Sequence, residues 1–487
     1  MCGMAEPTPE TAPEPEASAP PPAPKPRRRT PAKKATAAPP APAFVDRGDA
    51  WAVVGAGPHG MSALKALLQN GIDADGFERE SDVGGNWNFG AENSRVYEST
   101  HLISSKPFTQ FPDFPMPDAY PDYPSHRQVK EYFGRYVDHF GLRSRIHFST
   151  DVVNAVPVDD GRAWDVTVRD RITAAETTYR YAGLVVGNGH NWSPKQPVYP
   201  GQDGFRGEII HSADYKGAEV LRGKRVLVVG AGNTGCDVAV ESAQNAVHTW
   251  HSTRRGYYYN PKYMTGRPSD QVADSLLALK IPLPVRRALF KGSLRFAVGD
   301  LTKFGLKKPD HKFFETHPIV NQQLVYYVGH GEITPVDDID HFESDAVVLS
   351  DGTRAEVDLV VFCTGYLVNF PFLDHEWLNW QDDHPQLFLQ IFTPRFANLA
   401  VSGLIQPDSG QWTLAHWQGM LIARVAEALR QRPSVARGFL SRASAEADRR
   451  FSAGTEYKNS TRHYYEVAHQ EYLGVLQDAI HELEVSA

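Results

Sequence analysis

The chain has 487 residues, 41% of them hydrophobic and 22% charged, with a formal net charge of -8. That length suits about two or three domains of ordinary globular composition, and the acidic balance argues against a nucleic-acid partner. Three cysteines with neither metal-ligand spacing nor a CxxC pair exclude a disulfide scaffold and a zinc site and fit the cytoplasm. No apolar run reaches the roughly 20 residues of a membrane span, and no secretory signal pattern opens the chain.

Residues 1–45 hold 13 of the 36 prolines, no aromatic before Phe44, and basic knots at Arg27-Arg28-Arg29 and Lys33-Lys34. Such a segment cannot bury enough apolar surface to offset its ordering entropy, so a disordered tail is expected. Trp51-Ala52-Val53-Val54 reads as a buried parallel strand. The loop Gly55-Ala56-Gly57-Pro58-His59-Gly60 follows it, then a helix over about 61–69 closed by Gly71, then a weaker strand toward Phe77-Glu78. Residues 90–125 are rich in aromatics and prolines and read as irregular. Strands return near 165–169 and 184–186. A second strand–loop–helix–strand unit covers about 225–251, around Gly230-Ala231-Gly232-Asn233-Thr234-Gly235. Residues 272–306 are helical and partly amphipathic; a lid or a subunit contact, as in a homodimer, is favoured over a membrane-surface helix. Late strands fall at 346–349 and 359–362, with helices from about 412. Alternating strands and helices indicate an α/β fold with doubly wound parallel sheets.

One GxGxxG is weak evidence, but two in strand–helix context imply two bound dinucleotides. In each, glycine lets the backbone approach the pyrophosphate, and the helix N-terminus offers free N–H groups. The second strands end differently. Glu78 can accept hydrogen bonds from a ribose 2′-hydroxyl and would repel a 2′-phosphate, which suits FAD. Ser252-Thr253-Arg254-Arg255 offers hydroxyls and guanidinium, which suit the 2′-phosphate of NADPH. No acid–base dyad or nucleophilic triad is evident.

Between the loops, Phe205-Arg206-Gly207-Glu208-Ile209-Ile210-His211-Ser212-Ala213-Asp214-Tyr215-Lys216 matches the pattern FxGxxxHxxxYK. With Gly84-Gly85-Asn86-Trp87, Thr364-Gly365-Tyr366 and Gly403-Leu404-Ile405-Gln406-Pro407, it makes residues 50–430 resemble the flavin-containing monooxygenases, class B flavoproteins with two dinucleotide-binding domains. The resemblance implies two Rossmann-like domains, the NADPH domain inserted in the FAD domain. The expected divisions are a tail at 1–45, FAD domain at 46–204, NADPH domain at 205–335, and the rest of the FAD domain with C-terminal helices at 336–487. It also implies N- or S-oxygenation of a small organic substrate with O2, through a flavin hydroperoxide. The alternatives are a Baeyer–Villiger monooxygenase, against which Tyr215 argues because those enzymes usually carry tryptophan there, and an uncoupled NADPH oxidase or flavin reductase.

Carried onto this sequence, the resemblance assigns FAD to Gly55, Gly57, Pro58, Gly60, Glu78, Asn86, Trp87, Val152, Gly365 and Gln406. It assigns NADPH to Gly230, Gly232, Asn233, Gly235, Ser252, Thr253, Arg254 and Arg255. Phe205, Gly207, His211, Tyr215 and Lys216 form the fingerprint, with His211 and Tyr215 an interdomain hinge that packing alone would explain equally well. Ile103 stands where the family has an asparagine near the flavin. Isoleucine donates no hydrogen bond, so His101, Ser104 and Ser105 are the candidates to replace it.

Overall fold

In this computed structural model the described residues are 43–457 and 463–486; the tail to residue 42, with its basic knots, lies outside them. Two five-stranded, all-parallel sheets carry the architecture. In the first, Trp51–Val54 lies between Ala74–Phe77 and Gly183–Val186, with Ile146–His147 and Leu399–Val401 at the edges. All residues of the three inner strands are buried, so two of them are unbroken apolar runs rather than alternating ones. Ala74–Phe77 is the weaker pattern because it contains Asp75. That carboxylate is satisfied by Arg47 Nε and the Tyr181 hydroxyl, each at 2.8 Å.

The second sheet runs Glu208–His211, Leu359–Phe362, Arg225–Val229, His248–Ser252, Ile333–Val336. In each sheet the strand leading into the glycine loop has its sequence successor on one side and a much later strand on the other. That reversal is a topological switch point, where open α/β sheets bind ligands beyond their strand ends. The first sheet leaves off at Val186 and resumes at Leu399, while the second occupies 208–362. The inserted arrangement therefore holds.

Three expectations need correction. The boundary after residue 335 cuts the second sheet, which extends to Phe362. The antiparallel strands Ile339–Phe342, Ala346–Leu349 and Arg354–Glu356 also pack on it, through Phe342 and Val347 against Leu227 and Val360. An apolar run such as Leu359–Phe362 fits either sheet, so its sequence does not say which. Ala43–Asp46, at the end of the expected tail, is a strand that joins a sheet with Glu176–Tyr181, Ala163–Asp170 and Thr150–Val158. The helical stretch 272–306 is two helices, Ser269–Ala278 and Leu283–Val298. They break where Lys280 takes φ +54° just before Pro282, whose ring cannot sit inside a helix.

The largest core lies between the first sheet, the helix Pro58–Gln69 and the helix Trp412–Gln431. A side chain at Gly419 would stand 2.9 Å from the Ser62 carbonyl oxygen, so glycine permits this close helix approach. Beneath the first glycine loop Lys65, only 1% exposed, pairs with Asp113 and meets His416 Nδ1 at 3.2 Å. Its ammonium lies 5.7 and 5.0 Å from the ring centres of Tyr136 and Phe140.

Candidate active site

Both glycine loops are cradles that only glycine can form. A Cβ on Gly60 would overlap the carbonyl oxygen of Gly55, and one on Gly235 would overlap that of Gly230. Gly55 and Gly230 themselves have φ +95° and +120°, a region costly for other residues. The helices that follow, Pro58–Gln69 and Asn233–Asn245, start at Gly57 and Gly232 with no side-chain cap. Elsewhere the helix His126–His139 carries a full capping box from Ser125 and Gln128. The uncapped starts leave backbone N–H groups for a phosphate.

At the end of the first cradle Glu78 is buried. One carboxylate oxygen accepts from Ala56 N at 2.7 Å and the other from Glu80 N at 2.9 Å. Burial pushes its pKa up, against these hydrogen bonds. The Glu78 carbonyl accepts from Thr150 N at 2.9 Å, and two residues on, the β-bulge after Val152 interrupts the pairing with Ala163–Asp170. Val152 thus lies two residues beyond the contact with Glu78, with irregular backbone next to it. Asn86 and Trp87 occupy a 3-10 turn over the loop; the Asn86 carbonyl accepts from Ser94 Oγ at 2.9 Å, and Trp87 meets Trp412 edge-on at 6.1 Å. Gln406 is fixed by its N–H to Tyr465 O at 2.7 Å.

In the second cradle Asn233 turns its amide away from the loop mouth, bonding Pro318 O at 3.1 Å and Val320 N at 2.8 Å. Its side chain anchors the segment in front of the helix, leaving only its backbone toward a ligand. Ser252 and Thr253 are buried, and Ser252 Oγ donates to Asp337 O at 2.7 Å. Arg254 and Arg255 are exposed, and among the described residues neither takes a carboxylate partner. A third cation stands there that the sequence reading does not name: Lys307 donates to Thr253 O at 2.7 Å and pairs with Asp337 at 2.5 Å. The signal for it was Gly256, whose missing side chain lets the Lys307–Lys308 backbone cross.

The fingerprint joins the two sheets. Lys216 Nζ donates to Ser94 O at 2.7 Å and Ala213 O at 2.8 Å, and Glu98 N donates to Lys216 O at 2.9 Å. Tyr215 is fully buried, its hydroxyl on Glu241 of the helix Asn233–Asn245. His211 Nδ1 accepts from Ala213 N at 3.0 Å and its ring meets Tyr366 at 5.3 Å, while Nε2 is buried without a partner. Burial lowers its pKa. Phe205 packs on Phe342, and Gly207 leaves room for that ring. Gly365 (φ +83°) leaves the second sheet beside His211, with open space where a Cβ would point. Arg95, missed in the sequence, reaches this junction, donating to Trp192 O at 2.8 Å.

Beside Ile103 the three polar candidates separate. His101 is exposed, its Nδ1 2.8 Å from Ser99 O. Ser104 Oγ is 2.7 Å from Thr109 Oγ1. Ser105 is buried with no partner for its hydroxyl, and its N–H donates to Asp270 at 2.6 Å. Lys262, also unforeseen, reaches Leu102 O at 3.4 Å under the Tyr123 ring.

Comparison with known proteins places this geometry. The family model described as flavin-binding monooxygenase-like matches residues 49–483. Flavin-containing monooxygenase 5 of Homo sapiens is 32% identical over 418 residues, covering 82% of this chain and 78% of that protein. Among solved structures, cyclohexanone monooxygenase from Rhodococcus sp. Phi1 bound to NADP+ superposes with TM-score 0.66 at 20% identity, covering 91% of this chain and 97% of that one. S-allyl-L-cysteine S-oxygenase from Allium sativum gives 0.62 at 19%, covering 90% and 89%. The two cradles, the inserted second sheet and the family match agree, and the chain belongs to the flavin-binding monooxygenase-like family of enzymes.

Proposed function

We propose that the first cradle holds FAD, the second holds NADPH, and the enzyme places one atom of O2 on nitrogen or sulfur of a small organic substrate. The observation that carries this reading is the pair of open, uncapped helix starts with opposite chemistry at their strand ends. One ends at buried Glu78, the other at Arg254 and Arg255, which have no carboxylate partner among the described residues. Gly55, Gly57, Pro58, Gly60 and Glu78 hold the ADP half of FAD, and Val152 offers backbone to its adenine. Asn86, Trp87, Gln406 and Gly365 face its flavin side. Gly230, Gly232, Asn233 and Gly235 hold the NADPH pyrophosphate, with Ser252, Thr253, Arg254 and Arg255 around its 2′-phosphate.

When bound, the two cofactors supply hydride transfer and oxygen activation. The residues of the chain bind, orient and exclude water. Glu78 sets the first loop through Ala56 N, Lys216 ties the second sheet to residues 94–98, and Trp87 with Trp412 closes one wall. Beside Ile103, Ser105 supports a donor role best, because its hydroxyl is buried and without a partner. The buried free thiol Cys363, its pKa pushed up to about 12 by burial, supports a reducing compartment, the cytoplasm. No helix among the described residues is long and apolar enough to cross a membrane.

The test is anaerobic reduction of the purified yellow protein by NADPH, then aerobic turnover with sulfide, amine and ketone panels while peroxide is measured. Sulfoxide or N-oxide matching NADPH consumption is expected. Ester from the ketones would favour Baeyer–Villiger insertion, peroxide equal to NADPH whatever the substrate an uncoupled oxidase, and a protein without flavin would end the reading. Arg254→Ala should raise KM for NADPH about 10- to 100-fold, the loss of a charge-assisted phosphate bond, and leave KM for NADH nearly unchanged. Equal effects on both would remove Arg254 from 2′-phosphate recognition.

A further inference from the structure

Where the two sheets meet, Arg95, Trp192, His211 and Lys216 are joined by one run of hydrogen bonds. Arg95 donates to Trp192 O at 2.8 Å and to Ser94 O at 3.4 Å, and Lys216 Nζ donates to the same Ser94 O at 2.7 Å. Lys216 also reaches Ala213 O, and Ala213 N donates to His211 Nδ1. Because Nδ1 accepts, the His211 proton sits on Nε2. That Nε2, Arg95 Nε and Trp192 Nε1 are all buried without a partner, and His211 as a whole is 2% exposed. All three atoms are N–H donors, and buried polar groups are rarely left unpaired. The cluster lacks an acceptor.

Charge says which kind. Arg95 and Lys216 are cations that meet at one carbonyl, and among the described residues neither takes a carboxylate partner. Glu92, whose carbonyl accepts from Arg95, gives its carboxylate to Arg171 and Arg79, and Asp214 nearby is exposed. Half-buried cations without a counter-charge favour an anion. The place is the ligand side of the second sheet, since His211 ends Glu208–His211 and the space beside it at Gly365 is open. Along the same rim lie the Gly230 loop and, three strands away or about 14 Å, the strand His248–Ser252 that leads to Arg254. The phosphates of NADPH have their grips at that loop and at Arg254, so the anion here is another one. We propose that Arg95, Trp192, His211 and Lys216 form a subsite for a substrate carboxylate, their three free N–H groups donating to its oxygens. The substrates are then sulfides or amines that carry a carboxylate group. The substrate's identity rests on the oxygenase reading; the anion subsite does not.

The experiment is equilibrium dialysis of the full-length oxidised flavoprotein, saturated with NADP+, against (methylthio)acetate and its neutral counterpart (methylthio)acetamide. No turnover is needed. The acid should bind about 10- to 100-fold tighter, the worth of charge-assisted hydrogen bonds. Arg95→Gln should bring that ratio close to one. Trp192→Phe keeps the backbone carbonyl that holds Arg95 and removes only the indole N–H, so it should lower the ratio severalfold even if Arg95→Gln does not fold. In aerobic turnover the preference should appear in KM rather than kcat. Equal affinity for acid and amide, or an acid preference that both variants leave intact, would overturn the proposal. So would a Kd for NADP+ that rises in Arg95→Gln in place of the acid's, which would give the site to a cofactor phosphate. Acid-selective binding with neither probe oxygenated would support the subsite and count against the oxygenase reading.

Discussion

Gly235→Ala should yield a yellow protein that NADPH no longer reduces. The added Cβ would overlap the Gly230 carbonyl oxygen and press on the Cys363 side chain at 3.4 Å. Neither obstacle is a flexible side-chain tip, so the backbone must move. Displacing the loop shifts the N–H groups at the start of the helix Asn233–Asn245 away from the pyrophosphate. A misplacement of about 1 Å at a positioned group costs on the order of 10²-fold in rate, and here the cofactor's main anchor is displaced. The first cradle shares no residue with the second, so the flavin to protein ratio should stay that of the wild type. Stopped-flow reduction under anaerobic conditions reads the first effect, and the visible spectrum of the denatured protein reads the second. Reduction at the wild-type rate would show that the second loop does not hold NADPH.

Asp113→Asn is expected to destabilise the fold by about 3 kcal/mol, the lower end of the range for stranding one member of a buried pair. Lys65 is 1% exposed, so with a neutral asparagine at 113, whose amide oxygen can still accept a hydrogen bond, its buried ammonium loses its counter-charge and is left with His416 and two aromatic faces besides. Lys65→Met should cost less. Methionine fills the same niche without charge, and Asp113 retains His416 at 3.3 Å while its side chain is partly open to solvent. The asymmetry between the two variants is the test: urea midpoints ordered the other way would mean that the pair is not limited by the buried cation. Burial alone would raise the Asp113 pKa, but the His416 and Lys65 hydrogen bonds hold it well below the usual carboxylate range. A depressed folded pKa gives stability that is present above the unfolded value, about 3.9, and is lost as pH falls below it. The gap between wild type and Asp113→Asn should therefore narrow in acid.

What the sequence revealed and what it hid follow from distance along the chain. Each cradle is local: strand, three glycines and helix start lie within about twenty residues, and their spacing is dictated by one backbone turn. The fingerprint was legible for the same reason. Lys65 and His416 are 351 positions apart, and no periodicity links them. Lys307 reaches the arginine loop across 54 positions, and Asp270 reaches Ser105 across 165. Asn233 shows the opposite limit. The motif puts it at the helix start, but its amide has two possible directions, and the segment at 318–320 takes it. Of the four-stranded sheet containing Thr150–Val158, the sequence shows only the strand near 165–169, where Trp164, Val166 and Val168 alternate inward. Its edge strand Ala43–Asp46, paired with Glu176–Tyr181, sits at the end of the proline-rich stretch that composition assigns to a tail.

The insertion has a mechanical consequence. The second sheet is joined to the first by two separate connections, one leaving at Gly187 and the other at Cys363. Each starts against a glycine cradle: a Cβ on Gly55 would stand 2.6 Å from Gly187 O, and one on Gly230 would overlap Cys363 O. Two tethers set side by side allow one body to rock against the other but resist twisting about the line between them. The two glycine cradles are thus joined directly by covalent chain, with no side chains needed to connect them.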